Sequence, residues 1–129
     1  MASKKEFGER NMNLSFKLLD EKQYLDWVVT TAFYSSIHFV EDFILPKKIN
    51  GLECKNISDV KSAYNLNGRH SARLKLVYDS LGVSIGAKYQ WLDDNSRNSR
   101  YTTYKISTAQ ASKAKQYLEE IYNICYKTT

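Results

Sequence analysis

Hydrophobic residues recur at helical spacing along much of the chain, and they are densest between residues 27 and 45. One apolar stripe of this stretch consists of Val29, Phe33, Ser36, Val40 and Phe43. A second stripe, the mixed stripe, consists of Trp27, Thr31, Tyr34 and His38. At about 100° per residue the two stripes lie on roughly opposite sides of a helix, so both sides need a covering partner. The pattern predicts a central helix that runs to about Leu45 and is ended by Pro46.

The same periodicity predicts further helices over residues 7–19, 69–81 and 85–95, and a final helix that ends near Tyr126. A capping box, in which a polar N-cap is followed three residues later by glutamine, is predicted to start the central helix at residues 20–23 and the final helix at residues 107–110. Gly82 is predicted to end the helix over 69–81. Residues 1–6 are predicted to form a loose N-terminal tail.

Two segments between the helices look irregular. Residues 47–68 contain a turn signal at Asn50-Gly51 and a stretch near residues 58–64 that favours a short helical turn. Residues 102–106 favour an extended or loop conformation. The long periodic segments elsewhere, together with only one proline and five glycines in 129 residues, predict an all-α protein. We expect a single domain over residues 1–129 that folds as a four- to five-helix, up-and-down antiparallel bundle.

Charge, cysteine content and hydropathy indicate which partners and which cellular compartment the protein suits. The formal net charge is +5, which fits a phosphate-bearing partner and also fits a solvated basic surface. Cys54 and Cys125 have no metal-ligand spacing and are typical of reduced thiols in a cytosolic protein. Lys4, Lys5 and Glu6 are followed by no apolar run, and the central helix is too polar to span a bilayer. These features predict a cytoplasmic protein without a membrane partner.

Three groups of side chains are candidates for a site. His70 and Arg73 stand one turn apart at a predicted helix start, where unpaired backbone N–H groups attract anions and arginine offers a planar fork for phosphate. The arginine group consists of Arg97, Arg100 and Tyr101, which share a face if the preceding helix continues to them. The third group is the mixed stripe, whose Trp27, Tyr34 and His38 could form the wall of a site or a dimer seam.

Each group also has a purely structural explanation. His70 could bond the backbone at a helix start, and His38 could be a satisfied core histidine. The arginine group could consist of solvated charges beside Asp93 and Asp94. The sequence has no glycine-rich phosphate loop, no metal-ligand cluster and no Gly-x-Ser-x-Gly, so it predicts no metal and no cofactor.

One ordered set of motifs spans most of the chain. On the central helix it reads Trp27-x-x-Thr30-x-x-Phe33-Tyr34-Ser35-x-x-His38. Further along, it continues with His70-x-x-Arg73, residues 89–92 and Ser96-Arg97-x-x-Arg100-Tyr101. In their order and spacing, over about residues 13–126, these motifs resemble the HEPN domain family (higher eukaryotes and prokaryotes nucleotide-binding).

The resemblance implies a helical bundle that forms a homodimer, in a prokaryotic toxin–antitoxin or antiphage defence system and sometimes beside a nucleotidyltransferase partner. It also implies a metal-independent endoribonuclease whose site contains an arginine followed, after four to six residues, by a histidine. The chain departs from that motif, because Asn65 stands where the shortest spacing would put an arginine before His70. No arginine stands four to six residues before His38 either.

Two functions therefore stay open. In the first, the protein binds or cleaves RNA. His70 acts as general acid and base on the ribose 2′-OH and the leaving oxygen, while Arg73, with Arg97 or Arg100, stabilises charge on the phosphate. In the second, it is a non-catalytic helical module that dimerises or docks on a larger effector or nucleotidyltransferase. A nucleotide ligand would use the same basic residues.

Overall fold

The computed structural model describes residues 2–127, and these form six helices and one two-stranded antiparallel sheet. The elements are α1 (Lys4–Glu21), α2 (Leu25–Ile44), β1 (Lys47–Ile49), β2 (Leu52–Cys54), α3 (Ile57–Ala63), α4 (Arg69–Leu81), α5 (Val83–Tyr101) and α6 (Thr108–Tyr126). Helices account for 76% of the structure, so the predicted all-α class is confirmed.

Helix α2 is central, because it packs against α1, α5 and α6. Its first predicted stripe is buried at Val29, Phe33, Ser36 and Val40, and the prediction is wrong for Phe43, which is exposed near the end of the helix. The mixed stripe is covered only in part, since Thr31 is buried, Tyr34 and His38 are half-buried, and Trp27 is exposed.

The entry to α2 differs from the predicted capping box at residues 20–23. Helix α1 continues through Asp20 to Glu21 and ends at Lys22, whose left-handed backbone lets its N–H bond the carbonyls of residues 18 and 19. Tyr24, also left-handed, then precedes α2 without a side-chain cap. The two left-handed residues reverse the chain and replace the predicted cap.

The predicted N-terminal tail is also wrong for residues 4–6, because Ser3 and Glu6 form a capping box that starts α1. Met1 lies outside the described residues.

The α1–α2 hairpin is unusually close at Gly8. The Ser35 hydroxyl donates to the Gly8 carbonyl oxygen at 2.6 Å, and a Cβ on Gly8 would lie 2.5 Å from the ring of Phe39. Phe39 is fully buried and in edge contact with the rings of Tyr122 and Tyr126 on α6. The ring therefore has nowhere to move, and three helices meet at this glycine.

We expect Gly8→Ala to lower the free energy of unfolding by about 1–3 kcal/mol, because the added methyl group overpacks the contact with Phe39. The intrinsic preference of alanine for helix, worth about 1 kcal/mol, works in the opposite direction. Urea denaturation followed by circular dichroism measures the difference. Gly68→Ala is the control, since a Cβ there meets nothing within 4 Å. A Gly8→Ala protein as stable as the wild type would show that the helices separate without cost.

The segment after α2 is more regular than predicted. Residues 47–54 form a hairpin whose turn is the predicted Asn50-Gly51, with positive φ angles of 49° and 81°. Such a pair of φ angles suits a two-residue hairpin turn. The predicted short helical turn is α3, capped by the Asn56 side chain. This hairpin and helix connect α2 to α4.

Helices α4 and α5 form an antiparallel hairpin around Gly82. Helix α4 has its predicted bounds, and Gly82 ends it with a φ of 92°. Helix α5 extends beyond the predicted end at residue 95 and continues to Tyr101. The final helix begins with the predicted capping box of Ser107 and Gln110 and buries its predicted face at Ala111, Ala114, Leu118, Ile121 and Cys125.

Candidate functional site

The α4–α5 hairpin brings two of the predicted groups together. His70 lies in the first turn of α4, and the arginine group lies in the last two turns of α5. Because the helices are antiparallel and joined at Gly82, the start of α4 lies beside the end of α5. A cleft of about 190 Å³ opens between them, lined by His70, Ser71, Leu74, Gln90, Asp93, Asp94 and Arg97.

His70 is exposed at the edge of this cleft, and its surroundings favour the neutral imidazole. Partial burial lowers the pKa of His70 most, and the positive charges of Arg97, Arg73 and Arg100 lower it further. The carboxylate of Asp93 opposes them. Since the ordinary pKa of histidine is about 6.5, His70 is mainly neutral at pH 7 and can accept a proton.

Arg97 makes a two-point ion pair with Asp93 within α5. Its Nε donates to Oδ1 at 3.0 Å and its Nη2 to Oδ2 at 3.4 Å. The Asp93 side chain is only 9% exposed, whereas that of Arg97 is 49% exposed. The pairing with Asp93 agrees with the structural explanation of this arginine. Three of its five N–H donors stay outside this pair, on a side chain that lines the cleft.

Arg100 is fixed by contacts with two helices. Its Nη1 donates to the Tyr34 hydroxyl of α2 at 2.7 Å, and its Nε donates to the Ser96 carbonyl at 3.2 Å. The guanidinium also lies over the rings of Tyr34 and Tyr101, at 5.6 and 5.2 Å from their centroids. Since the Tyr34 oxygen accepts from Arg100, its own proton is left for another acceptor. Tyr101 is highly exposed and offers a ring face to solvent.

Arg73 has a different position from the one predicted for a catalytic group. It is buried, and its Nε donates to Oε2 of Glu41 on α2 at 2.7 Å. Lys4 of α1 contacts the other oxygen of Glu41 at 3.1 Å, so one carboxylate joins three helices. Arg73 influences His70 through its charge and does not line the cleft.

The remaining residues of the mixed stripe lie away from the cleft. His38 stacks on Phe7 of α1, with ring centroids 5.6 Å apart and planes 25° apart. Burial lowers the pKa of His38, and Glu41 opposes that shift. Trp27 is exposed near the start of α2 and does not line the cleft either. Of the mixed stripe, only Tyr34 connects to the arginine group.

Sequence reasoning did not assign Glu41, Gln90, Asp93 or Asp94 to the site. For Asp93 a signal existed, because an acid four residues before Arg97 favours pairing along a helix. For Glu41 the signal was a carboxylate directly after Val40 on the apolar side of the central helix. Gln90 offered no signal, since its role depends on the neighbouring helix.

No family model matches this chain, and neither does any curated protein or solved structure with which it was compared. In the part of the chain from residue 2 to 127, no group of three or more His, Cys, Asp or Glu side chains could hold a metal ion. Over the same residues, no helix combines the length and apolar character needed to cross a membrane.

Proposed function

We propose that this protein is an RNA-binding, metal-independent RNA-cleaving protein with a HEPN-like helical bundle. The observation that carries the proposal is the convergence of a neutral His70 with Arg97 at one cleft and Arg100 nearby. The resemblance to HEPN proteins supports a role in prokaryotic toxin–antitoxin or antiphage defence. Proteins of that family usually form homodimers and sometimes act beside a nucleotidyltransferase partner. The net charge of +5 supports a polyanionic ligand.

The chemistry follows from the charges around the cleft. Neutral His70 takes the proton of a ribose 2′-OH, whose oxygen then attacks the adjacent phosphorus. The P–O5′ bond breaks, and the leaving 5′ oxygen is protonated by the imidazolium that has formed. Arg97 and Arg100 stabilise the negative charge that grows on the phosphoryl oxygens. Each of these groups belongs to this chain, and none of the steps needs a metal ion.

The alternative function is a non-catalytic helical module that dimerises or docks on a larger protein. Two observations favour it. The Arg-to-His spacing of the nuclease motif is missing, and Phe7, Trp27 and Tyr101 expose large aromatic surfaces. Aromatic side chains are enriched in the buried centres of protein interfaces.

RNA binding and its salt dependence separate these functions. We expect a fluorescently labelled single-stranded RNA to bind with an affinity that falls as salt rises, and the Arg97→Gln/Arg100→Gln protein to bind more weakly. Each phosphate contact on a single strand contributes roughly 0.7 to the magnitude of the slope of log K against log salt. If each arginine contacts one phosphate, the slope of the double variant is therefore smaller than that of the wild type by about 1.4. Fluorescence anisotropy between about 50 and 200 mM salt measures it.

The matched control is Lys48→Gln/Lys55→Gln, which removes the same charge from exposed positions on or beside the β1–β2 hairpin. That protein should keep the slope of the wild type. If the wild type binds no RNA at low salt, the RNA-binding function is wrong and the interaction module takes its place. Equal slopes for the two double variants would show that binding is diffuse and does not use the cleft.

A further inference from the structure

The cleft is too small to enclose a whole drug-sized molecule. Its volume of about 190 Å³ lies below the range of roughly 300–1,000 Å³ that is common for pockets enclosing drug-sized molecules. Leu74 supplies an apolar wall, and the other lining side chains are polar or charged. A cleft of this kind suits one flat ring with polar edges, with the rest of the ligand outside. One nucleobase of a longer strand has this shape.

Gln90 is held so that it presents hydrogen-bond donors. The hydroxyl of Tyr78 on α4 donates to Oε1 of Gln90 at 2.8 Å, which leaves the amide NH₂ group for a ligand. The Tyr78 ring is itself held in close contact with α5, because a Cβ on Gly86 would lie 2.5 Å from it. The orientation of Gln90 therefore depends on the close packing of α4 against α5.

The two acidic residues of the cleft differ in what they can bind. Asp93 is occupied by Arg97. Asp94 is exposed, and within residues 2–127 its carboxylate takes part in no ion pair. An ionised carboxylate only accepts hydrogen bonds, so Asp94 selects a ligand that offers N–H groups. The cleft thus presents donors from Gln90 and a pair of acceptor oxygens from Asp94.

Among the four RNA bases, guanine matches this arrangement best. Its Watson–Crick edge carries the O6 acceptor followed by two adjacent donors, N1–H and the N2 amino group. Adenine and cytosine each offer one amino donor beside a ring-nitrogen acceptor. Uracil has a single N–H between two carbonyl oxygens.

The geometry points to a guanine-binding cleft, in which Asp94 accepts from N1–H and N2–H and Gln90 donates to O6. This assignment rests on the proposed RNA-binding function and names the base that the site selects. Because His70 and Arg97 line the same cleft, the phosphate of the bound guanosine falls beside them. Cleavage is then directed to positions next to guanosine.

The test compares four short uridine-rich RNAs that differ only at one central position, which carries guanosine, adenosine, cytidine or inosine. We expect the guanosine strand to bind the wild-type protein about tenfold more tightly than the adenosine and cytidine strands, equivalent to about 1.4 kcal/mol. Inosine lacks the N2 amino group, so its strand should show an intermediate affinity. Fluorescence anisotropy at one salt concentration gives all four affinities.

Asp94→Asn replaces one acceptor oxygen by a donor, so it should abolish the guanosine preference by weakening binding to the guanosine strand, while the adenosine and cytidine strands bind at least as tightly as to the wild type. Asp20→Asn makes the same charge change at an exposed position on α1, and it should keep the preference. Equal affinity for all four strands, or a preference that survives in Asp94→Asn, overturns the guanine assignment alone. If no strand binds even at low salt, the proposed function itself is wrong.

Discussion

Replacing Arg73 with alanine is expected to lower the free energy of unfolding by about 3–5 kcal/mol, the range found when one partner of a buried ion pair is removed. The side chains of Arg73 and Glu41 are only 10% and 11% exposed. Without Arg73, the Glu41 carboxylate keeps only Lys4, whose side chain is 42% exposed. Since whole domains are stable by about 5–15 kcal/mol, this loss is a large fraction of the total. Urea denaturation of the variant and the wild type measures it.

Two further proteins separate the buried charge from lost packing. The double variant Arg73→Met/Glu41→Leu removes both charges and keeps apolar volume, so it should recover most of the stability. Lys75→Ala breaks the exposed pair with Asp79, and it should cost less than about 1 kcal/mol. If the double variant is no more stable than Arg73→Ala, the penalty does not come from an uncompensated buried charge.

The position of Arg73 also changes how activity can be tested. A variant without Arg73 is expected to be strongly destabilised, so a loss of cleavage in it would not identify a catalytic group. His70 is exposed and forms no ion pair among the described residues, so it can be replaced with little effect on the fold. The test of catalysis therefore depends on His70 alone.

The elements that the sequence predicted best have strong local end signals. Pro46 follows α2, Gly82 ends α4, and the capping box at Ser107 starts α6. The end of α5 had no such signal, because Ser96, Asn98 and Ser99 individually favour turns. In the structure these turns of helix are held by contacts with α2, where Ser99 bonds Thr30 at 3.0 Å. Such tertiary contacts override local preference and are not visible in the sequence.

For the site, the sequence located the chemical groups and not their partners. His70 and Arg73 lie on one side of α4. Their spacing of three positions nevertheless rotates one side chain by about 60° from the other around the helix axis. That rotation places Arg73 inside the protein and leaves His70 at the cleft. The partners of both depend on residues more than 20 positions away, namely Glu41 for Arg73 and Asp93 for His70. Spacing along the chain carries no information on those pairings.

His70→Ala is expected to reduce RNA cleavage by about 10²–10⁴-fold, the usual contribution of a general acid or base, while RNA binding changes little. The assay uses end-labelled tRNA and total RNA with EDTA present, and cleavage by the wild type should persist there.

The cleavage rate of the wild type should also fall at low pH. Because the pKa of His70 is lowered, the neutral base dominates at pH 7, and the rate should fall only as the pH drops through a value below about 6.5.

His38→Gln is the matched control, because it removes the other histidine of the chain from the α1–α2 contact without altering the lining of the cleft. Cleavage per folded molecule should persist in this variant. A nuclease that contaminates the preparation would be equally active in all samples, so a loss confined to His70→Ala assigns the activity to this protein. Equal cleavage by His70→Ala and the wild type would remove His70 from the mechanism. If RNA binds but the wild type does not cleave it, the cleft is a binding site only.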